Sequence, residues 1–308
     1  MAIHARGRQG LCWLTATAVL LFAAGCPGPP ISDNVLLTSD LVYGRGYVGK
    51  GDGYELRDLR FDLLEPKDDP GPNKPAVLMI HGGGFDGGTK TDEDLVRTAD
   101  RLATVGYVCF LVDYRLEGDD PPEAKSLEAA EPPKDLEIPS ARAVHAAYVD
   151  AKVAMRHIRA NAAAYGIDPD RIAAFGESAG AFAAIAAGVT DPEDYASDGP
   201  DFPVPADNNP GVDPKPQVVI DCWGGSLFVT DEFDPADPPV MIWHGLLDLT
   251  VPYLLFALEV ADKCDQLGIP HRLFGLYGED HGAWDAEFDD KDLPTHILEF
   301  LADFMPAR

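Results

Sequence analysis

The stretch "RIAAFGESAGAFAAIAAG" (residues 171–188) sets an apolar run, a lone polar Ser178 fenced by Gly176 and Gly180, and an Ala-rich segment end to end. A buried strand needs apolar side chains and a helix interior tolerates Ala best, so a strand is expected to end at Phe175 and a helix to begin near Ala179. Ser178 then occupies the turn between them. The two glycines remove Cβ atoms where strand and helix approach most closely, and the turn exposes the serine Oγ; this is the G-x-S-x-G pattern of a nucleophile elbow. Three specified positions in five also arise by chance, and a plain Gly/Ser turn is the alternative until other residues join the pattern.

Outward from this stretch, the chain alternates strand and helix. Edge strands are expected around "LVYGRGYV" and "YELRDLRFDLLEP", then strand "PAVLMI", a helix over "DEDLVRTADRLATVG" closed by Gly106, and strand "YVCFLVDY". A long helix over residues 140–166 leads to "DPDR", read as a turn entering the strand before Ser178. Strands "QVVIDCW", "PPVMIWHG" and "HRLFGLY" follow, with helices over "PYLLFALEVADKCDQLG" and "THILEFLADF". Apolar runs without alternation, separated by helices, mean parallel strands covered on both faces. The expected fold class is therefore α/β, a doubly wound, mostly parallel sheet in a single domain over residues 41–308. Three acidic, Pro-bearing stretches interrupt it at 117–139, 191–216 and 226–238. The first and third leave the carboxyl ends of strands, where open α/β sheets bind ligands, and are candidates for a substrate rim; the second enters a strand from the opposite edge. Solvated acidic decoration is the alternative for all three.

The 308 residues, 46% hydrophobic and 9% aromatic, suffice for a large core and exclude disorder over most of the chain. Residues 1–25 read as an export signal: Arg6 and Arg8 precede the run "LCWLTATAVLLFAA", too short to span a bilayer. "AAGCPGPP" is similar to a bacterial lipobox, with Cys26 the residue to be lipidated and residues 26–40 a tether; a simple secretory peptide is the alternative. The net charge of −28 repels nucleic acid and anionic headgroups, so any membrane attachment is expected through the lipid alone. Localisation is expected at a bacterial outer membrane or cell surface, otherwise periplasmic or secreted. Cys109, Cys222 and Cys264 are odd in number and without C-x-x-C spacing, and read as buried thiols, with one disulfide as the alternative. No metal site and no cofactor are expected.

A nucleophilic Ser178 needs a base, an acid to orient it and donors for an oxyanion. "HGGGF" (81–85) follows strand "PAVLMI", and its glycines can turn backbone N–H groups toward a carbonyl. Asp248 stands just past "PPVMIWHG", and His281 just past "HRLFGLY". Asp221, ending "QVVID", is a rival acid. His145, His157 and His244 read as lining helices and strands, and Glu177 is assigned no catalytic role.

Taken together, "HGGGF", "DYRL", "YGIDPDRIAAFGESAG", "HGLLDLTVP" and "GEDHGAW" resemble the serine esterases of the α/β-hydrolase superfamily, close to the carboxylesterase and hormone-sensitive-lipase-like groups, over about residues 55–305. The resemblance implies that Ser178 attacks an ester carbonyl, His281 shuttles the proton, Asp248 orients the imidazole, and the N–H groups of Gly83, Gly84 and Ala179 bind the oxyanion, with His81 and Gly82 completing the motif. Asp86 stands where an aliphatic or aromatic residue is usual, and "DYRL" continues as "EGDDPPEAK"; both departures touch the acyl and alcohol pockets and leave the triad intact. The expected substrate is a small-molecule or carbohydrate ester, short-chain by the want of a large helical cap. A serine peptidase shares the triad, but that group carries a propeller or similar gating domain for which residues 26–308 leave no room. A non-catalytic surface binding lipoprotein would be expected to lack a triad member. Oligomeric state is not readable.

Overall fold

The computed structural model describes residues 30–50, 53–69, 71–123 and 140–306. Residues 1–25, read as an export signal, Cys26 and residues 124–139 of the first acidic stretch lie outside the described residues. Eight strands form one sheet in the order β1-β2-β4-β3-β5-β6-β7-β8. They are β1 (Val35–Val48), β2 (Glu55–Pro66), β3 (Lys74–Ile80), β4 (Val108–Val112), β5 (Ile167–Glu177), β6 (Val218–Cys222), β7 (Val240–Gly245) and β8 (His271–Leu276). Only β2 runs against the rest, pairing antiparallel with β1 and with β4. This is the mostly parallel α/β sheet expected.

Successive strand residues point to opposite faces, so a continuous apolar strand feeds two cores. Val77, Met79, Cys109, Leu111, Phe175 and Trp243 pack toward helices α1 (Glu93–Ala103) and α6 (Leu293–Phe304). Leu78, Ile80, Phe110, Val112, Val219 and Ile242 pack on the other face, under α2 (Ala141–Ala160), the single-turn α3 (Ala162–Tyr165), α4 (Ala179–Val189) and α5 (Ala257–Leu267). Every residue of α4 is buried, and eight of its eleven residues are Ala or Gly, which lets it lie close to its neighbours.

Several expectations are corrected. Residues 35–40, read as tether, are already strand: Val35 to Thr38 pair with Pro66 to Leu63, and Ser32 is tied to Asp100 by its N–H at 2.9 Å and its hydroxyl at 2.6 Å. The helix over 140–166 breaks at Asn161, whose side-chain amide donates to the His157 carbonyl at 2.8 Å. "DPDR" lies within β5, as an irregularity where the pairing jumps from Lys74↔Ile167 to Ala76↔Ile172. α5 begins at Ala257, after turns that occupy 251–256. Residues 191–216 are largely exposed or half-buried but anchored at Asp198 and Asn208, which are buried, and they reach the carboxyl-end side of the sheet. Asp198 pairs with buried Arg115, which follows β4, at 2.8 Å, and Phe202 lies 5.1 Å from the Tyr47 ring near the end of β1. A hairpin of β9 (Glu287–Phe288) and β10 (Lys291–Asp292), turning through Asp289 and Asp290 at φ 51° and 59°, was not expected. Cys109, Cys222 and Cys264 are buried free thiols.

Candidate active site

Ser178 joins β5 to α4 at φ 52° and ψ −121°, a left-handed conformation that L side chains avoid. Its N–H donates to the Cys222 carbonyl at 2.9 Å. The flanking glycines are steric necessities. A Cβ on Gly176 would stand 2.1 Å from the Gly180 carbonyl oxygen, and one on Gly180 would stand 2.2 Å from that of Ile80. The crossing of strand and helix at that distance sets the serine at the carboxyl edge of the sheet.

Two loops from later strands converge on it. The Ser178 hydroxyl lies 2.9 Å from His281 Nε2, and His281 Nδ1 lies 2.8 Å from Asp248 Oδ2. A carboxylate only accepts, so Nδ1 carries the imidazole proton and Nε2 offers its lone pair to the hydroxyl. Asp248 is held on its other oxygen by the N–H groups of Thr250 at 2.9 Å and Val251 at 2.8 Å. Burial raises its pKa, but hydrogen bonds from His244, His281 and Val251 outweigh burial and hold the carboxyl well below the usual range. The acid is therefore ionised throughout the neutral range.

The "HGGGF" loop leaves β3 beside the start of α4. Gly83 and Gly84 take φ 102° and 63°, and among the described residues no acceptor takes up their N–H groups or that of Ala179 at the head of α4. His81 and Gly82 brace this loop. The His81 ring is buried, stacks on Tyr114 at 4.4 Å and lies 2.7 Å from the Gly82 carbonyl through Nδ1; Tyr114 of "DYRL" donates to the carbonyls of His81 and Gly82 at 3.1 and 3.2 Å. Burial lowers the His81 pKa.

Glu177, given no catalytic role from the sequence, ties three segments together: its carboxylate accepts from the Gly82 N–H and, at 3.2 Å, from Trp223 Nε1. Burial raises its pKa against those two donors. The signal that could have found it is its place beside Ser178. Asp221, the rival acid, is not joined to His281. It lies under the turn after β6, accepts from the Gly224 N–H at 2.9 Å, and is pushed by burial to about 6. His145 Nε2 sits 3.1 Å from the Ser197 carbonyl and His157 Nε2 2.8 Å from the Tyr165 hydroxyl, the supporting roles expected of them.

By strand order, the serine loop lies between two unlike edges. On the β7/β8 side, beside Asp248 and His281, stand exposed apolar side chains: Leu249 is 85% and Tyr277 94% exposed, with Leu247 and Leu254 also open. On the β4 side, Glu117 and Asp120 share Arg142 at 2.6 and 3.1 Å. Among the described residues, no cluster of His, Cys, Asp and Glu is arranged to hold a metal ion, and no helix is long and apolar enough to cross a membrane.

The family model BD-FAE matches residues 61–126 and 138–231, just over half of the chain, including "HGGGF", "DYRL" and "GESAG". The chain belongs to the BD-FAE family of α/β-hydrolase esterases. Among curated proteins, this BD-FAE chain is 34% identical to Secreted lipase 5 of Gibberella zeae over 110 residues, 35% of this chain and 18% of that protein. It is 32% identical to the chlorogenic acid esterase of Aspergillus niger over 122 residues, 39% of this chain and 21% of that one. It thus spans about a fifth of the length of these relatives. Solved structures share the fold over nearly the whole chain. Esterase 2 of Thermogutta terrifontis superposes with a TM-score of 0.64 at 20% identity, covering 90% of this chain and 97% of that one. A truncated carbohydrate esterase from gut microbiota gives 0.64 at 18% identity, covering 91% and 100%.

Proposed function

We propose that this chain is an exported carboxylic-ester hydrolase that works through an acyl-enzyme on Ser178. The observation that carries the reading is the unbroken chain from Ser178 Oγ through His281 to Asp248, at 2.9 and 2.8 Å. In this scheme Ser178 Oγ attacks the ester carbonyl while its proton passes to His281 Nε2. The tetrahedral oxyanion is received by the N–H groups of Gly83, Gly84 and Ala179. Collapse expels the alcohol, which takes the proton from His281, and leaves an ester on Ser178. A water then repeats the sequence, releasing the acid and restoring the serine. Asp248 remains ionised throughout and stabilises the transient imidazolium.

The substrate reading is a short-chain or carbohydrate-linked ester. Exposed leucines on one edge of the serine loop support an apolar group lying there, and the paired charges of Glu117, Asp120 and Arg142 on the opposite edge support a polar, hydroxyl-bearing one. That the chain resembles a chlorogenic acid esterase over part of its length is in keeping with this. A serine peptidase would use the same three residues, and peptide substrates belong in the same test. We further propose attachment to a membrane through lipid on Cys26. The test labels the protein with a fluorophosphonate, with Ser178→Ala as control, and then assays p-nitrophenyl esters of rising chain length beside acetylated and feruloylated sugars and a peptide. Label on Ser178 with ester turnover is expected; a protein that takes no label and turns over none of these esters would overturn it.

A further inference from the structure

Two buried ionisable side chains behind the candidate triad, His244 and Asp221, take no part in the acyl-transfer scheme. His244, near the end of β7, has no exposed side-chain surface. Its Nε2 lies 2.8 Å from the Val251 carbonyl and 3.2 Å from Asp248 Oδ2. Both are acceptors, so Nε2 carries a proton. Its Nδ1 is buried and has no hydrogen-bond partner among the described residues. On the neighbouring strand β6, Asp221 pairs in register with Ile242, two residues before His244, and therefore stands on the same face of the sheet. Its Oδ1 is taken by the Gly224 N–H, and its Oδ2 is buried and equally without a partner. Buried polar atoms left unpaired are rare because each forfeits its hydration. Here two occur on one face of adjacent strands, one a carboxylate acceptor and the other a ring nitrogen able to carry a proton.

We propose that His244 and Asp221 extend the triad inward as positioning residues: His244 Nε2–H holds the Asp248 carboxylate from behind, and His244 Nδ1–H donates to Asp221 Oδ2, directly or through one trapped water. This rests on the reading of Ser178, His281 and Asp248 as the triad. An imidazolium between two carboxylates also accounts for how both acids are carried in the interior. The groups facing it are few. Asp221 comes from β6, with Cys222 beside it; Asp248 and the Tyr253 ring, 5.8 Å away, come from the segment after β7. His281 lies beyond Asp248, α5 brings Cys264, whose thiol senses Asp221, and α4 carries no ionisable side chain. His244 and His281 draw on the same oxygen of Asp248. Without His244 that oxygen becomes a stronger acceptor, and His281 keeps its proton to higher pH.

The experiment follows the rate of Ser178 labelling by a fluorophosphonate against pH in the full chain, for wild type, His244→Leu, His244→Gln, Asp221→Asn and the double variant His244→Leu/Asp221→Asn. His244→Leu is expected to slow labelling about ten- to hundredfold, as misplacement of a catalytic group does, and to move the acid limb to higher pH. His244→Gln, which keeps an N–H near the Nε2 position, recovers most of the rate. Asp221→Asn has a smaller effect, and none in the Leu background. Should the Leu variant fail to fold, ¹⁵N-histidine NMR of the wild type decides: one imidazole protonated on both nitrogens at pH 7–8, and lost in His244→Gln, is expected. Unmoved acid limbs with rates within twofold, additive effects of the two sites, or the absence of that imidazole would overturn the inference. Normal labelling of Ser178 with inert His244 variants would sink this inference alone; a wild type unlabelled at Ser178 would sink the triad reading and this with it.

Discussion

Ser178 adopts a backbone conformation that costs an ordinary side chain about 1–3 kcal/mol, and it is held there by its N–H on the Cys222 carbonyl and by the two glycines around it. The side chain is small and its replacement by Ala removes one hydroxyl from a buried site, so little packing is lost. Ser178→Ala is therefore expected to leave the circular dichroism spectrum and melting temperature nearly unchanged while lowering kcat by about 10⁶, the scale of triad removal elsewhere. The acid is tested the same way. Asp248→Asn leaves His281 in the wrong tautomer and should cost about 10⁴ in kcat, whereas Asp221→Asn, which makes no contact with His281, should cost less than tenfold. The reverse order in two folded variants would hand the acid role to Asp221. The meeting of Ser178, Asp248 and His281 was legible because each lies on the loop that leaves a strand, and chain order carries the rest. Glu177 was not, because its meaning depends on a partner far off in sequence, the Gly82 N–H 95 residues away; His244 was not, although Asp248 and Val251 stand only four and seven residues on, because nothing in the string shows that its ring turns back to them.

Elements meet here at distances that a single methyl group would disturb. A Cβ on Gly180 would press 2.2 Å from the Ile80 carbonyl and 2.6 Å from that of His81, backbone atoms at the end of β3 and the start of the "HGGGF" loop. Gly180→Ala is expected to push α4 off β3 and to cost about 3–5 kcal/mol, within the exceptional range for one substitution; urea unfolding with an unchanged midpoint would contradict this. Arg115 plays the comparable part for residues 191–216, joining Asp150 of α2 at 2.7 Å and Asp198 at 2.8 Å with no exposed surface of its own. Arg115→Met leaves two buried carboxylates without their cation, and a loss of about 3–5 kcal/mol is expected by the same measurement. At this scale the sequence was readable where apolar runs were continuous and opaque where side chains set the local path. The apolar run Val35-Leu36-Leu37 at the start of β1 is short and runs into Thr38, Ser39 and Asp40, and Leu36 and Leu37 are exposed, so it does not mark a buried strand. The break at Asn161 follows from one side-chain amide bonded to one carbonyl. The acidic composition of 191–216 concealed Asp198 and Asn208, which are buried because they meet Arg115 and the backbone of Arg45.

The whole molecule carries a net charge of −28, whose self-repulsion opposes compactness at neutral pH and is relieved as carboxylates protonate. Buried acids work in the same direction. Asp221 is pushed by burial to about 6, and Glu177, Asp150 and Asp237 are raised by burial as well. An acid whose folded pKa lies above its unfolded value binds its proton more tightly in the native state, so stability is gained as pH falls from the folded value toward the unfolded one. For Asp221 that window runs from about 6 down to its ordinary value of 3.8 before the hydrogen bond proposed from His244 is counted, which narrows it, so about 3 kcal/mol is an upper bound. Asp248, held low against burial by its hydrogen bonds, and Asp207, held low by Arg45, have the opposite sign: their contribution is present above the ordinary carboxylate value and is lost as pH falls below it. The two trends cross. Maximal stability is expected near pH 5, on the acid side of the pH range for activity, because His281 must be unprotonated to accept the serine proton. Thermal melts from pH 3.5 to 8 at low ionic strength check this. The melting temperature should rise from pH 8 to about 5 and fall steeply below 4, with added salt flattening the upper arm as it screens surface charge. A melting temperature that climbs steadily from pH 5 to 8 would mean that the buried carboxylates are better paired than their surroundings imply.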